Sequence, residues 1–234
     1  MAAAISAISW SGGKDGWLAL LRARAAGFDV RYALTMFDEE GQRSRSHALP
    51  PALVARQARA LGLEPVTART GWHDYETSIV AALRDLAGRG VEAVVFGDID
   101  IPAHRAFEER VCAAAGLTAE LPLWQQDRAV LVEEMFAHGL EAVVVTTDDR
   151  FLDGRYCGRR FDRAFVAALP DGVDACGENG EFHTFVTGGD GFAASLPMAA
   201  APAYAHVVTF DGKQAGYHFA PLHDTRDVRE AERV

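Results

Sequence analysis

Three short polar stretches hold the residue types that could carry chemistry in this chain. The first is Ser11-Gly12-Gly13-Lys14-Asp15-Gly16. The second is Gly97-Asp98, and the third is Cys176-Gly177-Glu178-Asn179-Gly180-Glu181-Phe182-His183-Thr184-Phe185. In each, glycines permit a tight backbone turn beside side chains that bind anions, cations or protons. These stretches are the candidate functional residues, and the surrounding elements must bring them into position.

Residues 11–16 lie between an apolar run (4–10) and a pattern with helical spacing (17–26), so they read as strand, tight loop and helix. Successive backbone N–H groups in such a turn form an anion cradle, to which the helix adds its positive N-terminal dipole. The sequence therefore predicts that nucleotide phosphates bind here. The alternative is an ordinary strand-to-helix turn.

Two common phosphate motifs are excluded by spacing. A Walker loop needs Gly-Lys-Ser/Thr with another glycine five positions before the first of these. Here Asp15 follows Gly13-Lys14, and no glycine lies five positions before Gly13. A dinucleotide fingerprint needs G-x-G-x-x-G, whereas Gly12, Gly13 and Gly16 give G-G-x-x-G. If phosphates bind here, the loop must follow a third pattern.

Short apolar strands alternate with amphipathic helices in the first half of the chain. Predicted strands cover residues 4–10, 30–37, 64–68 and 91–96, and predicted helices cover 17–26, 50–61, 74–86 and 102–115. This alternation predicts an α/β fold with a parallel sheet, in which ligands lie at the carboxyl ends of the strands. If the first and fourth strands are neighbours, the loop 11–16 and the Gly97-Asp98 turn face one crevice.

The second half is less regular. Helices are expected at 127–138 and 162–169, a strand at 142–147, and a hairpin whose strands, 205–210 and 216–219, are joined through Asp211-Gly212. The Ala/Pro-rich residues 193–203 predict a loose connection. The charged segment from Asp224 onward predicts a frayed end.

Composition narrows the functional classes. The 234 residues carry a net charge of −10, which argues against an extended nucleic-acid surface, and the single basic cluster, residues 155–163, is interrupted by Asp162. The three cysteines are far apart and form no CxxC pair, which argues against zinc, disulfide and dithiol sites. Because no signal-peptide pattern or transmembrane-length run is present in the sequence, the expectation is a cytoplasmic protein without a membrane partner.

The loop Ser11-Gly12-Gly13-Lys14-Asp15 resembles the S-G-G-x-D-S/T signature of the PP-loop ATP pyrophosphatases. Within that superfamily the chain resembles the diphthine–ammonia ligase group up to about Val186. The more specific resemblance rests on Ser46-His47, Phe96-Gly97-Asp98-Ile99, Pro122-Leu123-Trp124 and, above all, residues 176–185.

This resemblance implies a HUP-type ATP-binding domain at 1–118 and a smaller α+β substrate-binding subdomain at 119–234. It implies that ATP is cleaved to AMP and pyrophosphate with Mg²⁺, while a substrate carboxylate is adenylated and then attacked by ammonia. The group's named reaction amidates diphthine, a modified histidine on elongation factor 2, and a related small-molecule or protein-borne carboxylate is the other substrate expected. A homodimer is a further expectation.

The expected ATP-binding residues lie at the ends of predicted strands: Ser9, Ser11, Gly12, Gly13, Lys14, Asp15, Gly16, Met36, Phe37, Gly97 and Asp98. Lys14 is expected to neutralise phosphate charge, or else to be a solvated lysine. Asp15 and Asp98 are expected to bind Mg²⁺, or else to cap helices. Met36 and Phe37 are expected either to form the apolar wall of the adenine site or to be ordinary core residues.

The expected substrate residues are His47, Arg105, Glu109, Trp124, Glu178, Asn179, His183 and Thr184. Lys14, Asp98, Glu178 and Glu181 are the expected catalytic residues. Each has a structural alternative: a surface loop for His47, an i,i+4 ion pair for Arg105 and Glu109, and core packing for Trp124. The alternation of Glu181 and His183 with Phe182 and Phe185 suggests an edge strand with one polar face. The alternative for this stretch is a turn entering a surface hairpin, and Cys176 is expected to be structural.

One position departs from the signature. The superfamily loop ends in Ser or Thr, and this chain has Gly16, so a hydroxyl that would donate to phosphate is missing. Loss of a hydrogen bond to a charged group costs about 1.5–3 kcal/mol, or about ten- to a hundredfold in affinity or rate. Gly16 therefore favours one alternative, a nucleotide-binding regulator without turnover. Another PP-loop pyrophosphatase and a scaffold with a vestigial pocket are the further alternatives.

Overall fold

The computed structural model describes residues 3–45, 47–71, 73–210 and 213–226. The chain divides into two compact units, Met1–Asp127 and Arg128–Val234. This division lies later than the sequence-based boundary after Thr118. The difference arises because the short strand Thr118–Glu120 pairs within the sheet of the first unit.

The first unit alternates strands and helices. Its strands are β1 (Ile5–Ser9), β2 (Asp29–Phe37), β3 (Glu64–Arg69), β4 (Ala93–Val95) and β5 (Thr118–Glu120). Its helices are α1 (Lys14–Ala25), α2 (Pro51–Ala60), α3 (Tyr75–Gly88) and α4 (Pro102–Ala115). The strands pair in parallel in the order β3-β2-β1-β4-β5. The predicted α/β fold with a parallel sheet is confirmed.

The inner strands are apolar because both faces of the sheet are covered. Ala7 and Ile8 of β1 and Val94 and Val95 of β4 are fully buried. Ala7 and Val94 join a core that includes Leu83 and other side chains of α3 and α4. Short aliphatic runs therefore read correctly as central strands.

The pairing of β1 with β4 fixes where the first two polar stretches lie. Ser6 pairs with Ala93 and Ile8 with Val95, both in parallel register. The loop after β1 and the turn after β4 therefore leave the same edge of the sheet from adjacent strands. This confirms the condition on which a shared crevice was predicted.

The second unit is α+β, as predicted. It contains α5 (Arg128–Ala137), β6 (Glu141–Asp148), α6 (Arg163–Ala167), β7 (Phe182–Gly188), β8 (Met198–Ala200), β9 (Tyr204–Phe210), β10 (Lys213–Phe219) and β11 (Leu222–Asp224). An antiparallel sheet has the order β7-β6-β10-β9, and β8 pairs with β11. The buried rings of Phe161, Phe165 and Phe182 pack against one another, with ring centroids 5.3–5.8 Å apart.

One expectation for this unit is wrong in part. Residues 193–203 are not a loose connection throughout, because Met198–Ala200 forms β8. Of the segment expected to be frayed, Asp224 pairs with Met198 and accepts hydrogen bonds from Arg226, whereas residues 227–234 lie outside the described residues. The predicted hairpin is confirmed by the β9–β10 pairing, while Asp211-Gly212 lies outside the described residues.

Among the described residues, none of the helices combines the length and the apolar character needed to cross a membrane.

Candidate functional site

The loop after β1 has the geometry of an anion cradle. Gly12 has φ +90°, a left-handed conformation that favours glycine. Gly13 is the N-cap residue of α1, and its carbonyl accepts from Trp17 N at 3.1 Å. The Gly13 N–H makes only a long contact, 3.4 Å, with the hydroxyl of the half-exposed Ser11. A phosphate oxygen could take the place of the Ser11 hydroxyl as the acceptor for the Gly13 N–H. Ser9 lies just before this loop, at the end of β1.

Lys14 and Asp15 form an ion pair at the start of α1. Lys14 is 2% exposed, so the solvated-lysine alternative is wrong. Its Nζ lies 2.8 Å from Asp15 Oδ2 and 3.1 Å from Oδ1. The Asp15 carboxylate also interacts with its own backbone in the first turn of α1, so the helix-cap alternative remains a prediction. Burial raises the pKa of Asp15, and Lys14 opposes this shift.

The turn after β4 lies directly against the loop. A Cβ placed on Gly97 would come within 2.7 Å of Gly16 N and 2.9 Å of Asp15 C. Asp98 follows immediately and interacts electrostatically with Asp15, because it contributes to the raised pKa of that carboxyl. The structure therefore brings the first two predicted stretches together in one place.

Asp98 is held by α4 rather than capping it. Its Oδ1 lies 2.7 Å from His104 Nδ1, while Ile101 is the N-cap residue of the helix, so the helix-cap alternative is wrong. Burial acts to raise the pKa of Asp98, but hydrogen bonds with His104 and Glu108 outweigh it, and the pKa lies below its ordinary value. Asp98 is thus kept ionised at the edge of the crevice.

Met36 and Phe37, which were expected to form the apolar wall of an adenine site, lie at the end of β2. Met36 and Phe37 are both buried, and Met36 belongs to the apolar core. Their carbonyls accept from Arg45 N and Thr70 N respectively. His47, in the following loop, is 7% exposed, so the surface-loop alternative is wrong. Ser46 lies outside the described residues.

Arg105, Glu109 and Trp124 meet near the start of α4. Arg105 Nε lies 2.7 Å from Glu109 Oε1, which is the i,i+4 pair given as the alternative. The Arg105 guanidinium also lies over the Trp124 ring, 5.1 Å from its centroid. Trp124 is half-buried, so the core alternative is wrong, and Gln125 N donates to Ile99 O at 2.7 Å. Residues 122–125 are therefore fastened beside the Asp98 turn.

The third stretch, in the second unit, is organised around two carboxylates. Asp174 accepts from Cys176 N at 3.0 Å, Glu178 N at 2.9 Å and Arg128 Nη1 at 2.8 Å. Glu181 is 1% exposed and accepts from Asp174 N, Asn179 N and Asn179 Nδ2. These bonds hold the Glu181 carboxylate within its own loop, and the catalytic role expected from the sequence remains a prediction.

The other members of this stretch are placed differently from Glu181. Glu178 and His183 are half-buried, Asn179 is exposed and Thr184 is buried. The expected edge strand is confirmed, since β7 lies at the edge of its sheet, but the expected polar face is wrong, because β7 is buried along almost its whole length. Glu178, Asn179 and His183 are therefore the members with surface available for a ligand.

The three cysteines are enclosed by the protein. Cys112, Cys157 and Cys176 are free and buried. Burial raises the pKa of the Cys112 and Cys157 thiols to about 12, which disfavours the thiolate. Cys176 Sγ lies 3.3 Å from Arg128 O. In the described part of the chain, no group of three or more His, Cys, Asp or Glu is arranged to hold a metal ion.

Several residues of the site were not found from the sequence. His104 and Glu108 lie four apart on the α4 face that meets Asp98, a spacing that could have been noticed. Asp174 and Arg128 are 46 positions apart and carried no joint signal. Gln57 is a lone polar residue on the apolar face of α2, and that break in the pattern could have drawn attention to it.

Asp174 gives a direct test of how the third stretch is held. Asp174→Ala is expected to lower the free energy of unfolding by about 2 kcal/mol, because Arg128 and two backbone N–H groups lose their acceptor. Chemical denaturation measures this change. Asp171→Ala, at an exposed carboxylate on the same segment, is the control and should stay within about 0.5 kcal/mol of the original protein. Equal losses in both variants would contradict this account.

Two family models match the chain in order. The diphthamide synthase N-terminal domain matches residues 4–119, and the diphthamide synthase C-terminal domain matches residues 127–209. Together they span most of both structural units.

Individual relatives carry one name. Proteins named diphthine–ammonia ligase are 31% identical in Rattus norvegicus and 32% identical in Danio rerio, each over 100 residues and 41% of this chain. The Schizosaccharomyces pombe protein of that name is 24% identical over 199 residues, 75% of this chain. The alignments span 38%, 39% and 33% of these relatives' own lengths.

A solved structure from Methanocaldococcus jannaschii, described as a predicted subunit of tRNA methyltransferase, superposes with a TM-score of 0.44 and 13% identity, covering 80% of this chain and 98% of that one. The family is shown by the two domain models, which follow each other along the sequence as the two units do. The chain belongs to the diphthamide synthase family.

Proposed function

We propose that this chain is an ATP-dependent amide ligase of the diphthine–ammonia ligase type that forms AMP and pyrophosphate. The observation that carries the proposal is the close approach of Gly97 to the Asp15 and Gly16 backbone. This approach sets an ionised carboxylate, Asp98, beside an N-terminal anion cradle and a buried lysine. A nucleotide with its phosphates at the cradle suits that arrangement.

The proposed reaction has two steps. A substrate carboxylate oxygen attacks the α-phosphorus of ATP. The bond between the α-phosphorus and the oxygen that bridges to the β-phosphate breaks, which releases pyrophosphate and forms an acyl-adenylate. Ammonia then attacks the acyl carbon, AMP leaves, and the nitrogen loses a proton. In the first step Lys14 and the loop N–H groups stabilise the charge on pyrophosphate. In the second, Glu178 is the proposed proton acceptor, because Glu181 is occupied within its loop.

Mg²⁺ is the proposed companion of ATP. Mg²⁺ commonly takes one or two carboxylates together with substrate phosphates, so a three-residue cluster is not required. Asp15 and Asp98 fit this need because they lie close enough to interact electrostatically and because Asp98 is kept ionised. When bound there, the cation would neutralise charge on the phosphates.

The second unit is the proposed substrate-binding part, through Glu178, Asn179, His183 and Thr184. His47, Arg105, Glu109 and Trp124 are the substrate residues proposed in the first unit. The proposed partners are a small-molecule or protein-borne carboxylate and ammonia, in the cytoplasm, and a homodimer is a further proposal.

Incubation with ATP, Mg²⁺, ammonium and an extract rich in carboxylates tests the reaction. AMP and pyrophosphate that form only when all components are present support the ligase. Tight ATP binding without turnover supports a nucleotide-binding regulator, the alternative that Gly16 favours. A thermal shift that stays at zero with every adenine nucleotide would contradict nucleotide binding of any kind.

Gly16 can be tested by restoring the missing hydroxyl. A Cβ on Gly16 would meet its nearest atoms, in the Trp10 ring and at Ser9 O, at 3.8–3.9 Å, which is ordinary contact. Gly16→Ser should therefore fit and should raise ATP affinity or turnover by about tenfold, because one donor to a charged oxygen is regained. Isothermal titration with ATP and a pyrophosphate-release assay measure the change.

Gly16→Ala is the matched control because it adds the Cβ and the helix propensity without the hydroxyl. It should stabilise the protein slightly and leave ATP affinity unchanged. If the serine and alanine variants behave alike, the missing hydroxyl is not what limits this loop.

A further inference from the structure

Gln57 is a buried polar side chain that none of the proposed chemistry uses. It lies on α2 with 0% exposure, among the buried positions Leu53, Val54 and Ala58 of the same helix. A buried amide is costly unless its polar atoms find partners, so its retention on an apolar helix face needs a reason. The partners of Gln57 supply one, because they lie in the phosphate loop.

The Gln57 side chain joins two points on either side of Ser11. Its Oε1 accepts from Trp10 Nε1 at 3.0 Å, and its Nε2 donates to Gly12 O at 3.0 Å. Trp10 is itself fixed, since its N–H donates to Leu34 O and its carbonyl accepts from Thr35 Oγ1, both at 2.7 Å. The bridge therefore ties the loop backbone to a residue anchored on the neighbouring strand.

Holding the Gly12 carbonyl also sets the direction of the next N–H. The C=O of Gly12 and the N–H of Gly13 belong to one planar trans peptide and point in opposite directions. Because the Gln57 side chain donates a hydrogen bond to the Gly12 carbonyl, the Gly13 N–H points away from α2, toward the Ser11 hydroxyl. Gly12, at φ +90°, has more freedom to rotate than any other residue type would have, so this peptide needs an external restraint.

We propose that Gln57 is a positioning residue for phosphate: it holds the Gly12–Gly13 peptide so that the Gly13 N–H faces the pyrophosphate portion of ATP. This inference rests on the proposed function. It concerns the phosphates and not the adenosine portion of the ligand. The effect of losing Gln57 should therefore depend on whether the ligand carries those phosphates.

The test compares ATP, inorganic pyrophosphate and adenosine by isothermal titration. Gln57→Met keeps the length of the side chain without its hydrogen bonds. It should weaken ATP and pyrophosphate binding by about tenfold and leave adenosine binding unchanged. Gln57→Glu keeps an acceptor for Trp10 but sets a carboxylate against the Gly12 carbonyl, so the same selective loss is expected. Trp10→Phe removes the N–H that anchors the amide, together with part of a buried ring, but leaves the Gln57 bond to Gly12 in place, and should give a smaller selective loss, about threefold.

Leu53→Ala, one turn earlier on the same helix, is the control for general destabilisation. It should lower the melting temperature while keeping the ratio of ATP to adenosine affinity. A Gln57→Met protein with that ratio unchanged overturns the inference. If it does not fold, the ratio in Gln57→Glu and Trp10→Phe decides in the same way. Failure of the original protein to bind ATP is a different result, which overturns the proposed function itself.

Discussion

Lys14→Met is expected to reduce kcat/KM for pyrophosphate release by about a hundredfold or more, the usual effect of removing one group that stabilises developing charge. Lys14 is buried, so its ammonium is set in place before the nucleotide arrives. The substitution also leaves the Asp15 carboxylate, 2.8 Å from Nζ, without its cation beside the phosphates. Steady-state kinetics of pyrophosphate release measure the loss.

Arg84→Met serves as the control for this change. It removes one positive charge from an exposed position on α3, where Arg84 donates to Ala114 O. Its kinetics should match those of the original protein within about twofold, as for most surface substitutions. Unimpaired turnover in the Lys14 variant would remove Lys14 from the catalytic machinery.

Gly97→Ala is expected to abolish tight ATP binding, with an affinity loss of about a hundredfold. The added Cβ would lie 2.7–3.0 Å from three backbone atoms of Asp15 and Gly16, and backbone cannot rotate aside as a side chain does. Overpacking of this kind costs about 1–3 kcal/mol, and here the cost falls on the phosphate loop itself. Isothermal titration with ATP measures the affinity, and thermal unfolding measures the stability.

Gly88→Ala is the matched control because a Cβ there would meet no described atom within 4 Å. It replaces a glycine at the end of α3 and should leave ATP affinity unchanged, with a small gain in stability. Normal ATP affinity in Gly97→Ala would mean that the turn after β4 does not constrain the loop.

The first unit could be predicted from the sequence because its elements follow local rules. Aliphatic runs gave the buried strands, and Pro102 and Gly116, with φ 75°, mark the two ends of α4 as their conformational preferences require. The strand Thr118–Glu120 was missed because three residues carry no periodic signal. The three-residue strand Met198–Ala200 was missed for the same reason. Its partner strand also lies near the far end of the chain, so no local pattern joins the two.

The position of the site was also predictable, but most of its contacts were not. Fold rules place loops at the carboxyl ends of parallel strands, which located Gly97-Asp98 beside the phosphate loop. Which partner a polar side chain takes depends on packing that the sequence does not display. The Asp98 carboxylate pairs with His104, and the Glu181 carboxylate binds N–H groups of its own loop. The spacing of these residues in the sequence was equally compatible with contact to solvent or to a ligand.

Competition between ATP and inorganic pyrophosphate tests the central claim most directly, because the claim is that residues 11–16 bind the pyrophosphate portion of ATP. Isothermal titration of the protein with ATP is repeated at saturating pyrophosphate. The account predicts that pyrophosphate displaces ATP, and that Gly97→Ala loses affinity for both ligands while Gly88→Ala keeps it. ATP that binds with unchanged affinity in the presence of pyrophosphate would contradict the account.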